Sequence, residues 1–242
     1  MKRIDINCDM GEIPEMVDDG SQEALMPYVT SVNIACGGHA GDQRIMRTTT
    51  LQAQRWNLNV SAHPGYPDRV NFGRSPLEMP PSAIADFVFE QIRTLAQIAQ
   101  DCSATIRHMK PHGALYNSAV KNPEIAEAIA QGAARWSKDL VLVGLAGSPM
   151  LDIFRAAGFS VLAEAFADRR YEPDGSLRSR HHADSLITDP QAAARQVHDI
   201  VNHRFVIAVD GSKIPIDAQT LCIHSDTPGA LDIGREVARQ LR

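Results

Sequence analysis

Asp9 and Glu12 stand at the end of the opening stretch DINCDMGE, where an apolar–polar alternation stops. Carboxylates so placed can serve as general base, as general acid or as ligands for a cation. Similar groups recur down the chain. ACGGHAGD carries His39, SAHPGYPDR carries His63, and HMKPHGALY carries Lys110 and His112. EAFADRR supplies Glu164, Asp168 and Arg169, and CIHSD supplies His224 and Asp226. Asp9 or Glu12 could activate water, Lys110 could stabilise developing negative charge, and His112 could pass a proton, with Asp226 a further candidate of that kind. Asp9, His39 and His63 could equally be three ligands of a divalent metal, since Asp/His/His from separate strands is a recurring open site.

Groups that would hold a substrate come from the same places. Asn7, His39, His63, Glu164, Asp168 and His224 lie at or just below strand ends, and arginines cluster in two long loops, 64–74 and 167–185. Arg69, Arg74, Arg169 and Arg170 are candidates for a carboxylate or phosphate, because the guanidinium fork matches both. Long loops of this kind tend to be lids or binding elements. The neighbouring His181 and His182 read as surface residues. GGHAGD and AGSP precede helices, so their backbone amides could approach an anion. There is no G-x-x-x-x-G-K-[ST] phosphate loop and no G-x-S-x-G nucleophile elbow.

What must position these residues is an alternation of short β-branched or apolar runs with helical patterns. RIDINCD is followed by SQEALMPYV, SVNIAC by DQRIMRTTTLQAQRWN, and LNVSAH by a loop and PSAIADFVFEQIRTLAQIAQ. TIRHMK leads to NPEIAEAIAQGAARW, LVLVGLA to SPMLDIFRAAG, SVLAEAFA to DPQAAARQVHDIVN, and TLCIHSD to PGALDIGREVARQL. That makes seven strand–helix units, with FVIAVDGSKIPID before the last reading as a hairpin turning at Asp210-Gly211. The pattern predicts one α/β domain over 1–242 with a mainly parallel sheet, either a closed barrel or an open doubly wound sheet. In both, strand carboxyl ends share one face, where sites are built. Six of the seven strands end in His, Asp, Glu or Lys, and only LVLVGLA does not. This joint pattern reads Asp5 and Asn7 as facing a barrel interior below a site, not as facing water.

Composition narrows the function classes. The chain has 242 residues, 44% hydrophobic and 22% charged, with a net charge of −5. An acidic balance argues against nucleic-acid and anionic-membrane partners. No long apolar run predicts a transmembrane helix, and Lys2-Arg3 leads into a polar-alternating strand, not a signal-peptide core. The four cysteines, Cys8, Cys36, Cys102 and Cys222, are far apart and read as buried reduced thiols. The expectation is a cytoplasmic protein.

DINCDMGE, ACGGHAGD, HPGYPDRVNFGR, KPHGALYN, EAFADRRY and CIHSDTPGA, in that order from Asp5 to about Gly229, resemble the LamB/YcsF family. The resemblance implies a seven-stranded (β/α) TIM-like barrel similar to the glycoside hydrolase/deacetylase type. It also implies a hydrolase of carbon–nitrogen bonds in cyclic amides, as one component of ATP-dependent 5-oxoprolinase. In that reaction 5-oxo-L-proline, ATP and water give L-glutamate, ADP and phosphate. The implied partners are 5-oxoprolinase subunits B and C, which would activate the lactam by phosphorylation, and ATP is the co-substrate of the complex. Activation is chemically sensible, because a five-membered lactam is a nearly unstrained amide. Two departures stand out: His224-Ser225-Asp226 replaces an expected His-Gly-Asp, and Asp184-Ser185 replaces an expected Gly-Ala. The first predicts a disturbed strand-end turn, and the second an altered lid. The rival reading is a stand-alone metal-dependent amidase or carbohydrate deacetylase using Asp9, His39 and His63; a non-catalytic substrate carrier is a third.

Overall fold

A computed structural model describes residues 4–241. The alternation that begins the chain becomes β1 (Asp5–Met10), followed by β2 (Ser31–Ala35), β3 (Asn59–His63), β4 (Ile106–Met109), β5 (Val141–Leu145) and β6 (Ser160–Phe166). A short antiparallel hairpin, β7 (Phe205–Ile207) and β8 (Lys213–Pro215), precedes β9 (Thr220–His224). The seven strands β1 to β6 and β9 close into a barrel in that order, every pairing parallel. Closure comes from β9, which pairs with β6 at Glu164↔Thr220 and with β1 at Asp5↔Thr220. The open doubly wound alternative is thereby excluded, and all strand carboxyl ends share one rim.

The side-chain period of two decides what fills the lumen. Ile6, Cys8 and Met10 on β1 are buried against the surrounding helices in the apolar core. Asp5, Asn7 and Asp9 point inward. The proof is Asn7, whose Nδ2 donates to Glu164 Oε1 at 2.9 Å although β6 does not adjoin β1. Such a contact can only cross the lumen.

The helical layer consists of α1 (Pro14–Asp18), α2 (Gln43–Arg55), α3 (Pro81–Asp101), α4 (Gly113–Lys121), α5 (Pro123–Trp136), α6 (Pro149–Ala156), α7 (Pro190–His198) and α8 (Ala230–Gln240). Asp42, Asn122 and Asp189 cap α2, α5 and α7, each side-chain oxygen accepting a first-turn N–H at 2.7 to 2.9 Å. Gly132 lets α5 lie against α3, since a Cβ there would come within 2.5 Å of the Ala85 carbonyl.

Two local expectations change. SQEALMPYV forms a 3₁₀ helix over Glu23–Tyr28, with Pro27 inside it. Proline has no N–H to give to an α-helical ladder. An additional helix, α4, sits between β4 and α5, and Asn122-Pro123 separates the two. All four cysteines are buried and free. Among the described residues no helix is long and apolar enough to cross a membrane.

Candidate active site

The lumen is built in polar layers from the bottom upward. At the base, the Asp5 carboxylate accepts hydroxyl hydrogen bonds from Thr30 (2.6 Å), Ser31 (2.8 Å) and Thr220 (2.5 Å). Above it, Asn7 donates to Thr220 and Glu164 and accepts from Asn33 at 2.7 Å. Higher still, Lys110 Nζ lies 3.0 Å from Asp9 Oδ1 and 2.9 Å from Glu164 Oε1. It also reaches Asn7 Oδ1 at 3.3 Å and Cys222 Sγ at 3.1 Å. An ammonium has three N–H donors, and four acceptors already surround this one. Lys110 is therefore anchored to Asp9 and Glu164, which leaves no free donor for an oxyanion, the role the sequence suggested.

The loops after β2 and β4, with the last residue of β3, bring three imidazoles to Glu12 in the loop after β1. His39 Nε2 and His112 Nδ1 each lie 2.9 Å from Glu12 Oε1, and His63 Nε2 lies 3.6 Å away. His39 and His112 stack with ring centroids 3.6 Å apart and 2° between planes. His63 stands edge-on to both. Loop 64–74 closes over this stack. His112 Nε2 meets the Phe72 carbonyl at 2.9 Å, and Gln91 of α3 pins Gly65 through both its N–H and its carbonyl. Gly65 has to be glycine here, because a Cβ would come within 2.6 Å of His39 Nδ1. The part of this loop read as a lid is thus seated on the imidazoles at both ends, with Val70 exposed at its tip.

On the opposite side of the rim, His224 Nδ1 sits 3.0 Å from Asp168 Oδ1, while Asp168 Oδ2 accepts from the His224 backbone N–H (2.9 Å) and Thr227 Oγ1 (2.6 Å). His224 Nε2 faces Asp9 Oδ2 at 3.9 Å. Its ring stacks on Phe166, and its side chain is 11% exposed. Asp226 is gripped by Arg74 from one loop and by Arg180, at 3.1 Å, from the other. Arg169 is buried too, but its guanidinium donates to the Arg178 carbonyl at 2.6 Å and so braces its own loop. Arg69 likewise serves the Gly37 and Gly41 carbonyls, and Arg170 is exposed.

Burial and charge together set the protonation states. Burial alone would raise Asp9; His63 and Lys110 override it and hold the carboxyl well below its usual range. Glu12 is held low in the same way by His112 and His39. Burial pushes His39 down to about 3 and lowers His112. His63 is raised despite its burial, because Asp9 and Glu12 favour its cation. Lys110 is raised well above its ordinary value, Asp9 and Cys222 outweighing desolvation. Asp168, against its burial, is brought down to about 2 by His224. Asp226 is lowered by Arg180, His224 and Arg74.

The structure therefore gathers Asn7, Asp9, Glu12, His39, His63, Lys110, His112, Glu164, Asp168 and His224 into one lumen and rim, with Asp226 and Arg74 at its edge. The expected metal-ligand set also needs correcting. The ligand set Asp9, His39 and His63 does not form as a unit. The atoms lying within 4.8 Å of one another belong to Glu12, His39, His63 and His112, while Asp9 groups with Cys222 and His224. Asp9 is drawn to the Lys110 side, and Glu12 takes its place among the imidazoles. Ser225 does not disturb its turn; its hydroxyl donates to the Asp9 carbonyl at 2.8 Å. Asp184 is exposed and pairs with Arg178. Sequence reasoning missed Asn33, Thr220, Cys222 and Arg180. The first three occupy inward positions of alternating strands, a signal that was available. Arg180 lies in an irregular loop and carried none.

Residues 4–242 match the LamB/YcsF family. A protein of Chloroflexus aggregans named as the A component of 5-oxoprolinase is 49% identical over 95% of this chain and 91% of its own length. A second so named, from Halalkalibacterium halodurans, is 41% identical over 100% of this chain and 94% of its own. Among solved structures, the lactam utilization protein of Thermus thermophilus superposes with a TM-score of 0.89 at 36% identity, covering 99% of this chain and 96% of that one.

Proposed function

The chain belongs to the LamB/YcsF family, and on that premise we propose that it is the lactam-opening component of an ATP-dependent 5-oxoprolinase. The observation that carries the reading is convergence. A buried carboxylate–lysine pair, Asp9–Lys110, and an imidazole–carboxylate dyad, His224–Asp168, face one another across a single barrel rim. Opening a cyclic amide needs a base for water and a proton for the departing nitrogen. This rim offers both.

Asp9, kept ionised by Lys110 and His63, takes a proton from the attacking water. His224, its Nδ1–H fixed on Asp168, presents Nε2 toward Asp9, accepts there the proton taken from water, and as an imidazolium delivers it to the ring nitrogen as the C–N bond breaks. The acyl phosphate left by the activated lactam is hydrolysed by a second water to glutamate and phosphate. Lys110 acts through Asp9, as a positioning residue. Arg74 and Arg180, whose partner Asp226 is itself a carboxylate, are arranged to take the carboxylate of 5-oxoproline. Phosphorylation of the lactam by ATP falls to partner subunits, in keeping with a chain that carries no phosphate-loop signature. Buried, unbridged cysteines suit a reducing cytoplasm.

The test is reconstitution. Glutamate release from 5-oxoproline is measured with ATP and subunits B and C, with and without this chain. The expected result is turnover only in the complete mixture. Full turnover without this chain would refute the proposal.

A further inference from the structure

Hydrogen bonding around the imidazole group leaves one point between acceptors that calls for a positive charge, either an added proton on His63 or a bound ion. His63 Nδ1 lies 2.8 Å from the Lys110 carbonyl, and His112 Nε2 lies 2.9 Å from the Phe72 carbonyl. A carbonyl oxygen only accepts, so each of these nitrogens carries the ring's N–H. In the neutral rings the lone pairs then fall on His63 Nε2 and His112 Nδ1. Those two atoms face each other at 3.0 Å. The remaining neighbours are Glu12 Oε1, 2.9 Å from His112 Nδ1 and 3.6 Å from His63 Nε2, and Asp9 Oδ2, 3.3 Å from His63 Nε2. Acceptors therefore surround one point from every side, and all four residues are buried.

Charge points the same way. The lumen and rim bury four carboxylates, Asp9, Glu12, Glu164 and Asp168, against two permanent cations, Lys110 and Arg169. Arg74 and Arg180 are already shared with Asp226. A positive charge belongs where the lone pairs meet, and a bound cation would supply it in place of a proton on His63.

We propose that Glu12, His63 and His112 are the three protein ligands of a divalent metal ion of the zinc class, with His39 orienting Glu12. The triangle formed by their three ligand atoms, with edges of 2.9, 3.0 and 3.6 Å, has a circumradius of about 1.9 Å. An ion slightly above that plane would lie at roughly the 2.0–2.1 Å of a Zn–N or Zn–O bond. Two imidazoles and a carboxylate form a known catalytic zinc set, which leaves a fourth position open. The second shell is that of a metal site, each ligating ring giving its other N–H to a backbone carbonyl. His39 differs: its Nδ1 has no hydrogen-bond partner among the described residues, so its proton sits on Nε2 and is donated to Glu12. When bound, the ion would supply a Lewis acid close to Asp9. Glu12 and His112 then hold the metal and do not transfer protons, which agrees with leaving that work to Asp9 and His224. The site stands on hydrogen-bond geometry and is independent of the lactam reading.

The experiment uses the purified chain, stripped with a chelator and titrated with Zn²⁺ by calorimetry and with Co²⁺ by visible spectroscopy. The expected result is saturable binding of one ion per chain, with the intense d–d bands of low-coordinate Co²⁺. Glu12→Gln and His63→Asn should abolish those bands. His39→Asn should weaken affinity by roughly 10–100-fold while keeping the band positions, as loss of an orienting partner does. Circular dichroism of the metal-free variants separates loss of binding from loss of fold, and the wild-type titration decides the matter even if a variant fails to fold. Absence of saturable binding to the wild type would overturn the site, as would wild-type binding by folded Glu12→Gln. So would nitrogen NMR showing His63 as an imidazolium in excess Zn²⁺. These readouts require no turnover, so they separate this site's failure from that of the 5-oxoprolinase assignment.

Discussion

Asp168→Asn changes one atom, yet it should invert a tautomer. Asp168 Oδ2 accepts from a backbone N–H and from Thr227, and Oδ1 meets His224 Nδ1. The backbone donor cannot become an acceptor, so the single oxygen of asparagine must take the Oδ2 position. Its NH₂ then faces His224 Nδ1, which has to give up its proton and accept. In the neutral ring the proton moves to Nε2, the atom that faces Asp9 at 3.9 Å. A histidine in the wrong tautomer is lost as an acid–base group, so turnover should fall by roughly 10²–10⁴-fold. Stability changes as well. The drop of the Asp168 carboxyl from 3.8 to about 2 corresponds to about 2 kcal/mol. Because the folded-state value is depressed, that stability is fully present above pH 3.8 and is lost as pH falls through about 2. The variant should lack this component, so its urea midpoint should fall at neutral pH and converge on the wild type in acid. The assays are glutamate release by the reconstituted complex and nitrogen NMR of His224. Wild-type turnover, or an Nδ1–H tautomer in the variant, would refute the reasoning.

Other perturbations reach different parts of the rim. Lys110→Met leaves Asp9 and Glu164 facing each other in the lumen, which should cost about 3–5 kcal/mol in chemical denaturation; adding Glu164→Gln should recover part of it. Arg180→Ala removes a half-buried partner of Asp226, so 5-oxoproline KM should rise while unfolding free energy falls by no more than about 1 kcal/mol. An unchanged KM would take Arg180 out of substrate binding. Gly65→Ala would drive a methyl against His39 Nδ1 and should destabilise the chain by about 1–3 kcal/mol, read as a lower melting temperature.

How far the sequence reveals this site depends on the physics of each part. Parallel strands put their carboxyl ends on one rim, so residues found after each apolar run, such as His63, Lys110 and His224, had to converge once the barrel closed. Strand alternation likewise sends Asp5, Asn7 and Asp9 to one side. Partner choice is another matter. Whether Asp9 joins the imidazoles or Lys110 depends on positions a few ångströms apart across the lumen, and no local pattern encodes that. The placement of Glu12 beside His39, His63 and His112 is of this kind. Loops are harder still: Arg169 and Arg180 look alike in sequence, yet one braces a carbonyl and the other grips Asp226.

At the centre of the account stands Asp9 as the base that activates water. Asp9→Asn preserves its size and its place beside Lys110, so the measurement is single-turnover glutamate formation from 5-oxoproline by the full complex carrying that variant. The account predicts intact assembly and intact ATP-dependent activation of the lactam, with glutamate formation slowed at least about 100-fold. Glutamate formed at the wild-type rate by Asp9→Asn would contradict it.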